Sequence, residues 1–226
     1  MPGVAFLCGT RHQAVACAAL GDEMLDLDHL AVAAENLADG VASVEQALGV
    51  KLVAGGLHAH MGTHNMLLRL GDVYLEVIAI NPEAPPPAHP RWFDLDHFQG
   101  PARLTNWICR CDDLDRAVAA SPPGVGQPVA LSRGELRWKM AVPENGKLPF
   151  AGAFPALIQW QGRAHPAALL PESGCRLLGL EITHPEAQNL SAALAPLLDE
   201  GRVTIAQGPA VSFHAVIDTP HGARDL

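Results

Sequence analysis

The sequence is short of charge. Asp, Glu, Lys and Arg make up only 17% of its 226 residues, against a usual share of about 25%. With 49% apolar residues, that composition excludes intrinsic disorder and supplies enough material for one large domain or two modules with a filled core. Basic residues are scarcest: 15 Lys and Arg stand against 24 Asp and Glu, a net charge of −9, and they form no stripe that could follow a phosphate backbone. No nucleic-acid partner is expected. There is no CxxC pair, and five cysteines (Cys8, Cys17, Cys109, Cys111, Cys175) in a chain this long make no disulfide framework, so a reducing, cytoplasmic setting is the expectation. The longest apolar run near the start, residues 14–20, is far short of the roughly 20 residues a membrane span needs. Neither a membrane partner nor a secretory leader is expected. Residues 1–24 read as a tail ahead of the first patterned segment, with Met24 standing as an alternative start.

What the sequence does contain is a repeat. The stretch from Leu27 to Val41 lies over that from Leu104 to Val118 without a gap, 77 residues on. Each copy opens with an apolar strand. Glu35-Asn36 or Asp112-Asp113 then supplies capping and first-turn acids for a helix. Leu37, Val41, Val44 and Leu48 make one helical stripe, closed by Gly49. Strands follow at 50–53, 63–70 and 73–80, and in the second copy at 127–131, 135–142 and 156–160, so each copy reads β-α-β-β-β. A third, partial copy is expected from a strand at 176–183, a helix at 185–198 and strands at 203–207 and 211–218. The expected organisation is a tail (1–24), a first module (25–81), a proline-rich linker (82–101), a second module (102–162) and a C-terminal partial βαββ module (175–219).

Strand alternation places Leu30 and Val32 under the helix and His29, Ala31 and Ala33 on the opposite, concave face. Gly71-Asp72 reads as a two-residue hairpin turn, which sets Leu70 against Val73, Arg69 against Tyr74, Leu67 against Glu76 and Asn65 against Ile78. Thr63 and Asn65 then share the face of Glu76, while His64 falls on the other. The second-copy positions matched to His29 and Glu76 are Asn106 and Gln159, a polar but uncharged echo.

Leu27-Asp-His-Leu30, Met61-Gly-Thr-His-Asn65, Gly71-Asp-Val-Tyr-Leu-Glu-Val-Ile78 and Ile158-Gln-Trp160 resemble the vicinal oxygen chelate superfamily, and within it the glyoxalase-like branch. The resemblance implies an α+β fold in which paired βαβββ modules form a half-open, cupped barrel. It also implies metal-ligand positions at His29 and Glu76, with Asn106 and Gln159 departing from the usual histidine and glutamate. One imidazole and one carboxylate suit Zn²⁺, Ni²⁺, Mn²⁺ or Fe²⁺ but fall short of the three or four ligands of a tight site. The rival reading makes Glu76 a metal-free general base or substrate anchor.

The expected activity is isomerase or lyase chemistry on a small oxygenated organic molecule bound in the cup. Ring-cleaving dioxygenase chemistry is less favoured, because Asn106 replaces the second histidine of the triad it uses. His29 and Glu76 would act on the substrate or hold the ion. Thr63, Asn65, Asn106 and Gln159 would orient the substrate, Arg69 or Arg137 would meet an anionic group, and Trp92 of the linker would contact it. The alternative is a metal-free protein that binds or sequesters a small molecule, as drug-resistance members of the superfamily do. Two copies can close one barrel within a chain, so a monomer or a homodimer is expected. His58, His60 and His64 surround a glycine-rich turn and read as a rim loop, and the glycines at 55, 56 and 62 lack the Gly-Lys-Ser/Thr of a phosphate loop. Cys109 and Cys111 read as packing under the helix.

Overall fold

The computed structural model describes residues 25–162 and 165–226; the 1–24 tail, with Cys8 and Cys17, lies outside the described residues. The first eight strands are β1 (Asp26–Ala33), β2 (Val53–His58), β3 (Thr63–Leu70), β4 (Val73–Ile80), β5 (Arg103–Arg110), β6 (Gln127–Arg133), β7 (Leu136–Val142) and β8 (Ala156–Gln161). They form one sheet in the order β2-β3-β4-β1-β5-β8-β7-β6. Helices α1 (Leu37–Leu48) and α2 (Leu114–Ala120) follow β1 and β5, and a short α3 (Pro166–Leu169) follows β8. Asn36 caps α1 by accepting from the Ala38 and Asp39 amides, Gly49 closes it at φ 71°, and Asp113 caps α2 by accepting from Arg116 N.

The two halves of this sheet are related by a pseudo-dyad that runs through a single cross-strand pair. Leu30 pairs with Trp107, its own counterpart 77 residues on, at the centre of the antiparallel β1/β5 ladder. Each half carries one extra residue at the corresponding position: Asp28 bulges β1 against Cys109 and Ile108, and Thr105 bulges β5 against Val32 and Ala31. Leu30, Val32, Leu75, Trp107 and Cys109 face a core shared with Val44 and Leu48 of α1. Cys109 and Cys111 are buried there, and burial raises both thiols, Cys111 to about 12. The opposite face is concave, and the edge strands β2 and β6 approach each other to half-close it.

The cup is not left open. Trp92, Phe93 and Leu95, in a 3-10 turn over Trp92–His97, bury themselves in it with Ala31, Ile78, Ile108, Trp138 and Ile158. Phe93 and Asp94 hold φ values of 59° and 54°, a conformation costly for residues with side chains. The loop before β8 holds them there: Asp94 N donates to Gly146 O at 2.9 Å, and a methyl at Gly146 would run into the Arg91 carbonyl. The segment read from sequence as a linker is thus a plug.

A second sheet, β10-β9-β11-β12, comprises β9 (Arg176–His184), β10 (Val203–Gln207), β11 (Ser212–Thr219) and β12 (Gly222–Asp225), with α4 (Ala187–Leu194) between β9 and β10. Its Leu177, Leu180, Ile182 and Ile217 join the helix-side core. The expected C-terminal βαββ order is present as β9-α4-β10-β11, with its own strand pairing. β10 pairs directly and in parallel with β9, and β12 adds a strand the sequence reading omitted, whereas β1 takes its fourth strand, β4, as parallel partner. Among the described residues no helix is long and apolar enough to cross a membrane.

Leu30 stands fully buried at the pseudo-dyad, whereas Leu57 points outward from β2 at 61% exposure. Leu30→Ala should therefore cost about 2–5 kcal/mol in urea unfolding, and Leu57→Ala under about 0.5 kcal/mol.

Candidate functional site

Asp28 organises the site because its bulge turns it toward the cup instead of alternating away. It is fully buried and accepts three N–H donors: His29 Nδ1 at 2.6 Å, Trp160 Nε1 at 2.9 Å and His165 Nε2 at 2.8 Å. The His165 tautomer is fixed, since its Nδ1 accepts from Ala167 N at the start of α3. Burial works against the charge on Asp28, but the donors from His165 and His29 outweigh it and hold the carboxyl well below its ordinary range.

His29 is clamped between two carboxylates. Its ring stacks on Tyr74 with centroids 4.3 Å apart, and its Nε2 faces Glu76 Oε1 at 3.5 Å. Burial opposes protonation, yet Asp28 and Glu76 together push its pKa up to about 9, so the ring is an imidazolium at neutral pH. Glu76 sits below its ordinary value: burial raises it, and His29, His58 and Asn65 more than reverse that.

The hairpin register is the one expected from Gly71-Asp72, with Leu67 against Glu76 and Asn65 against Ile78. Asn65 Nδ2 donates to Glu76 Oε2 at 2.7 Å, while its Oδ1 accepts from Gly56 N at 2.9 Å and Arg133 Nη1 at 3.2 Å. These bonds fix which way the amide points. Gly55 has to be glycine, because a methyl there would overlap Asn65 Oδ1. Thr63 Oγ1 meets His58 Nδ1 at 3.0 Å, and Arg133 Nη1 donates to His58 Nε2 at 3.3 Å. Burial dominates at His58 and, with Arg133 and against the pull of Glu76, lowers its pKa to about 4, which leaves it neutral. Trp92 packs edge-on against His58 with centroids 5.1 Å apart.

Not every residue singled out from the sequence arrives. Gln159 alternates to the helix side and donates to the Asp112 carbonyl. In strand pairing the counterpart of Glu76 is Ala156, because Ala31 pairs with Glu76 as Ile108 pairs with Ala156. Asn106 is on the concave face, opposite Ala31, but lines a different cavity. Arg69 is held outside by Glu172 at 3.0 Å and by the Gly71 carbonyl, and Arg137 lies exposed near the start of β7. His64 faces away from the cup beside α1, as expected, and His60 stacks on His89 away from it. The contributors missed include Asp28, Arg133, His58 and His165. Asp28 was hidden by the bulge, Arg133 reaches in from the far edge strand, and His58 ends a strand that begins at Val53 instead of 50 and runs through Gly55-Gly56. Its location on a strand ending in Thr63's neighbourhood was the available signal.

The space left among these groups is about 30 Å³, room for a water or two. A resident divalent ion does not fit the donor set. Among the described residues no three His, Cys, Asp or Glu side chains are grouped to hold one. His29 has both ring nitrogens turned to carboxylates, and Arg133 adds a cation beside Glu76's partner Asn65.

Residues 27–198 match the model of the glyoxalase-like domain. The chain belongs to that family, within the vicinal oxygen chelate superfamily. A hypothetical protein from Staphylococcus aureus has a similar crystal structure, with TM-score 0.62 and 13% identity over 87% of this chain and 91% of that one, a likeness of fold. Methylmalonyl-CoA epimerase from Mycobacterium tuberculosis is similar over 67% of this chain and 97% of its own, at 18% identity and TM-score 0.43. A variant of the Streptomyces coelicolor methylmalonyl-CoA epimerase in complex with 2-nitronate-propionyl-CoA matches 62% of this chain and 99% of its own, at 13% identity and TM-score 0.41. No curated protein matches the sequence.

The two histidines of this glyoxalase-like chain should give opposite pH signatures. His29, raised from 6.5 to about 9, contributes stability below pH 6.5 that is lost as pH climbs through about 9. His58, lowered from 6.5 to about 4, contributes stability above pH 6.5 that is lost as pH falls through about 4. In urea unfolding across pH, His29→Gln should remove the alkaline slope and His58→Gln the slope on the acid side.

Proposed function

We propose that the protein is a metal-independent proton-transfer enzyme of the isomerase or lyase type, acting on a small organic molecule with an acidic C–H beside a carbonyl. The observation that carries this reading is the pairing of His29 Nε2 with Glu76 Oε1 at 3.5 Å in the wall of the small cavity. Their environments drive the two groups apart, one kept protonated and the other ionised, which is the pairing general acid-base catalysis uses.

In this scheme Glu76 takes the proton from carbon, and Asn65 keeps its second oxygen occupied so that Oε1 is the base. His29 donates from Nε2 to the carbonyl oxygen as charge develops there, the electrophilic role a metal has elsewhere. Asp28 supports the imidazolium from behind. Trp138, Trp160 and Trp92 wall the substrate from water. A substrate of several atoms exceeds about 30 Å³, so the strained Trp92–His97 turn is the element that moves to admit it. The aromatic walls equally support the sequestration reading, in which the same cup binds without turnover.

Deuterium wash-in followed by proton NMR in D₂O tests the reading, with hydroxyacetone, 2-oxobutyrate and lactaldehyde as probes. The protein should accelerate exchange of at least one, and Glu76→Gln should slow it by about 10²–10⁴-fold. Added Zn²⁺, Ni²⁺, Mn²⁺ or Fe²⁺, or a chelator, should change nothing. Exchange that survives Glu76→Gln, or that rises with metal and falls with chelator, contradicts the proposal. Binding without exchange of any probe supports sequestration.

A further inference from the structure

A larger cavity, about 510 Å³, lies beyond Phe93, which separates it from the acid-base site and lines both. Its position follows from strand lengths. β5 pairs with β8 only from Ile108 onward, so its first residues, from Arg103 to Trp107, have no β8 neighbour on that edge. The loop before β8, the 3-10 turn of the plug and Val211 to Phe213 of the second sheet wall the gap. Volumes of about 300–1,000 Å³ are those of small-molecule sites.

The polar groups there are poorly satisfied in the way a ligand would correct. Asn106 lines the cavity at 4% exposure, and its buried Oδ1 has no hydrogen-bond partner. Thr105 Oγ1, beside it in the bulge, is buried and unpartnered as well. These positions are the repeat counterparts of His29 and Asp28, where the other half satisfies every group. A buried acceptor left alone is costly and calls for an O–H or N–H donor.

The charge is equally specific. In a chain of net charge −9, the lining carries Arg103 and Lys147 against the single carboxylate of Asp94. Asp94 is already met by Lys147 at 3.3 Å and His97 at 2.6 Å, which leaves Arg103 as the surplus cation. Arg103 is positioned over the Phe98 ring at 4.3 Å, with Nη1 donating to the Gln99 and Pro101 carbonyls. Phe93, Phe98 and Phe213 supply apolar walls.

We propose that this chamber is a second binding site, specific for a small hydroxycarboxylate with an aromatic or short aliphatic body. The carboxylate meets Arg103 and Lys147, the hydroxyl donates to Asn106 Oδ1, and the body packs on the phenylalanines. The site stands independently of the proton-transfer reading.

Calorimetric titration of the full chain tests it, with 3-phenyllactate as probe, 3-phenylpropionate lacking the hydroxyl and 2-phenylethanol lacking the carboxylate. Phenyllactate should bind best, and removing the hydroxyl or making Asn106→Leu should each weaken binding by about tenfold. The double variant Arg103→Gln, Lys147→Gln, confined to the cavity rim, should erase the preference over 2-phenylethanol. Glu76→Gln should bind phenyllactate as the wild type does. No binding of any probe at millimolar concentration, unchanged affinity in both chamber variants, or loss of binding in Glu76→Gln alone would overturn the proposal.

Discussion

Everything in the cup depends on one buried carboxylate. Asp28 lies on the extra residue of a bulge, and from there it gathers His29, Trp160 and His165 around a charge that water cannot reach. Taking a carboxylate out of water is expensive, and three N–H donors make the burial tolerable. The consequence is a cationic His29 pressed against Glu76, with both charges compensated and neither free to relax. Removing Asp28 would leave His29 and Glu76 as an isolated buried pair, so the acid-base assignment and the integrity of the cup rest on the same residue.

The repeat explains why only one half of the sheet carries this chemistry. Both halves have the bulge at the same place, but Thr105 and Asn106 replace Asp28 and His29, and Ala156 replaces Glu76. The first half has become a buried, charge-paired centre closed by the plug of Trp92 and Phe93. The second half keeps open space, bounded by the additional sheet, where the corresponding polar atoms are unpartnered. A duplicated unit has thus given one half with a charge-paired centre and one half with an open cavity.

Much of this could be read from residues alone. Gly71-Asp72 fixes the β3/β4 register because a two-residue turn leaves no slack, so Asn65 and Glu76 were brought together correctly and His64 was kept away. Strand parity put His29 on the concave face, opposite to Leu30 and Val32. The misses have separate physical causes. The bulge that aims Asp28 inward leaves no mark in the pattern of apolar residues. Gly55 and Gly56 read as a turn, although they lie in β2, where the Asn65 side chain fills the space beside Gly55 and the Arg133 side chain that beside Gly56. Gln159 was matched to Glu76 by sequence type, but the loop before β8 shifts the register so that Ala156 takes that place. Arg133 meets His58 only because the sheet curls until β6 reaches β2, a property of the whole sheet and of no single segment.

The central claim, that Asp28 holds His29 as an imidazolium against Glu76, is tested most directly by nitrogen NMR of the histidine rings across a pH titration. In the wild type both ring nitrogens of His29 should carry protons at neutral pH, with titration near 9. In Asp28→Asn the same ring should titrate clearly lower than in the wild type, since burial then acts with less opposition. A wild-type His29 that is neutral at pH 7, or one whose titration is unmoved by Asp28→Asn, would contradict the account.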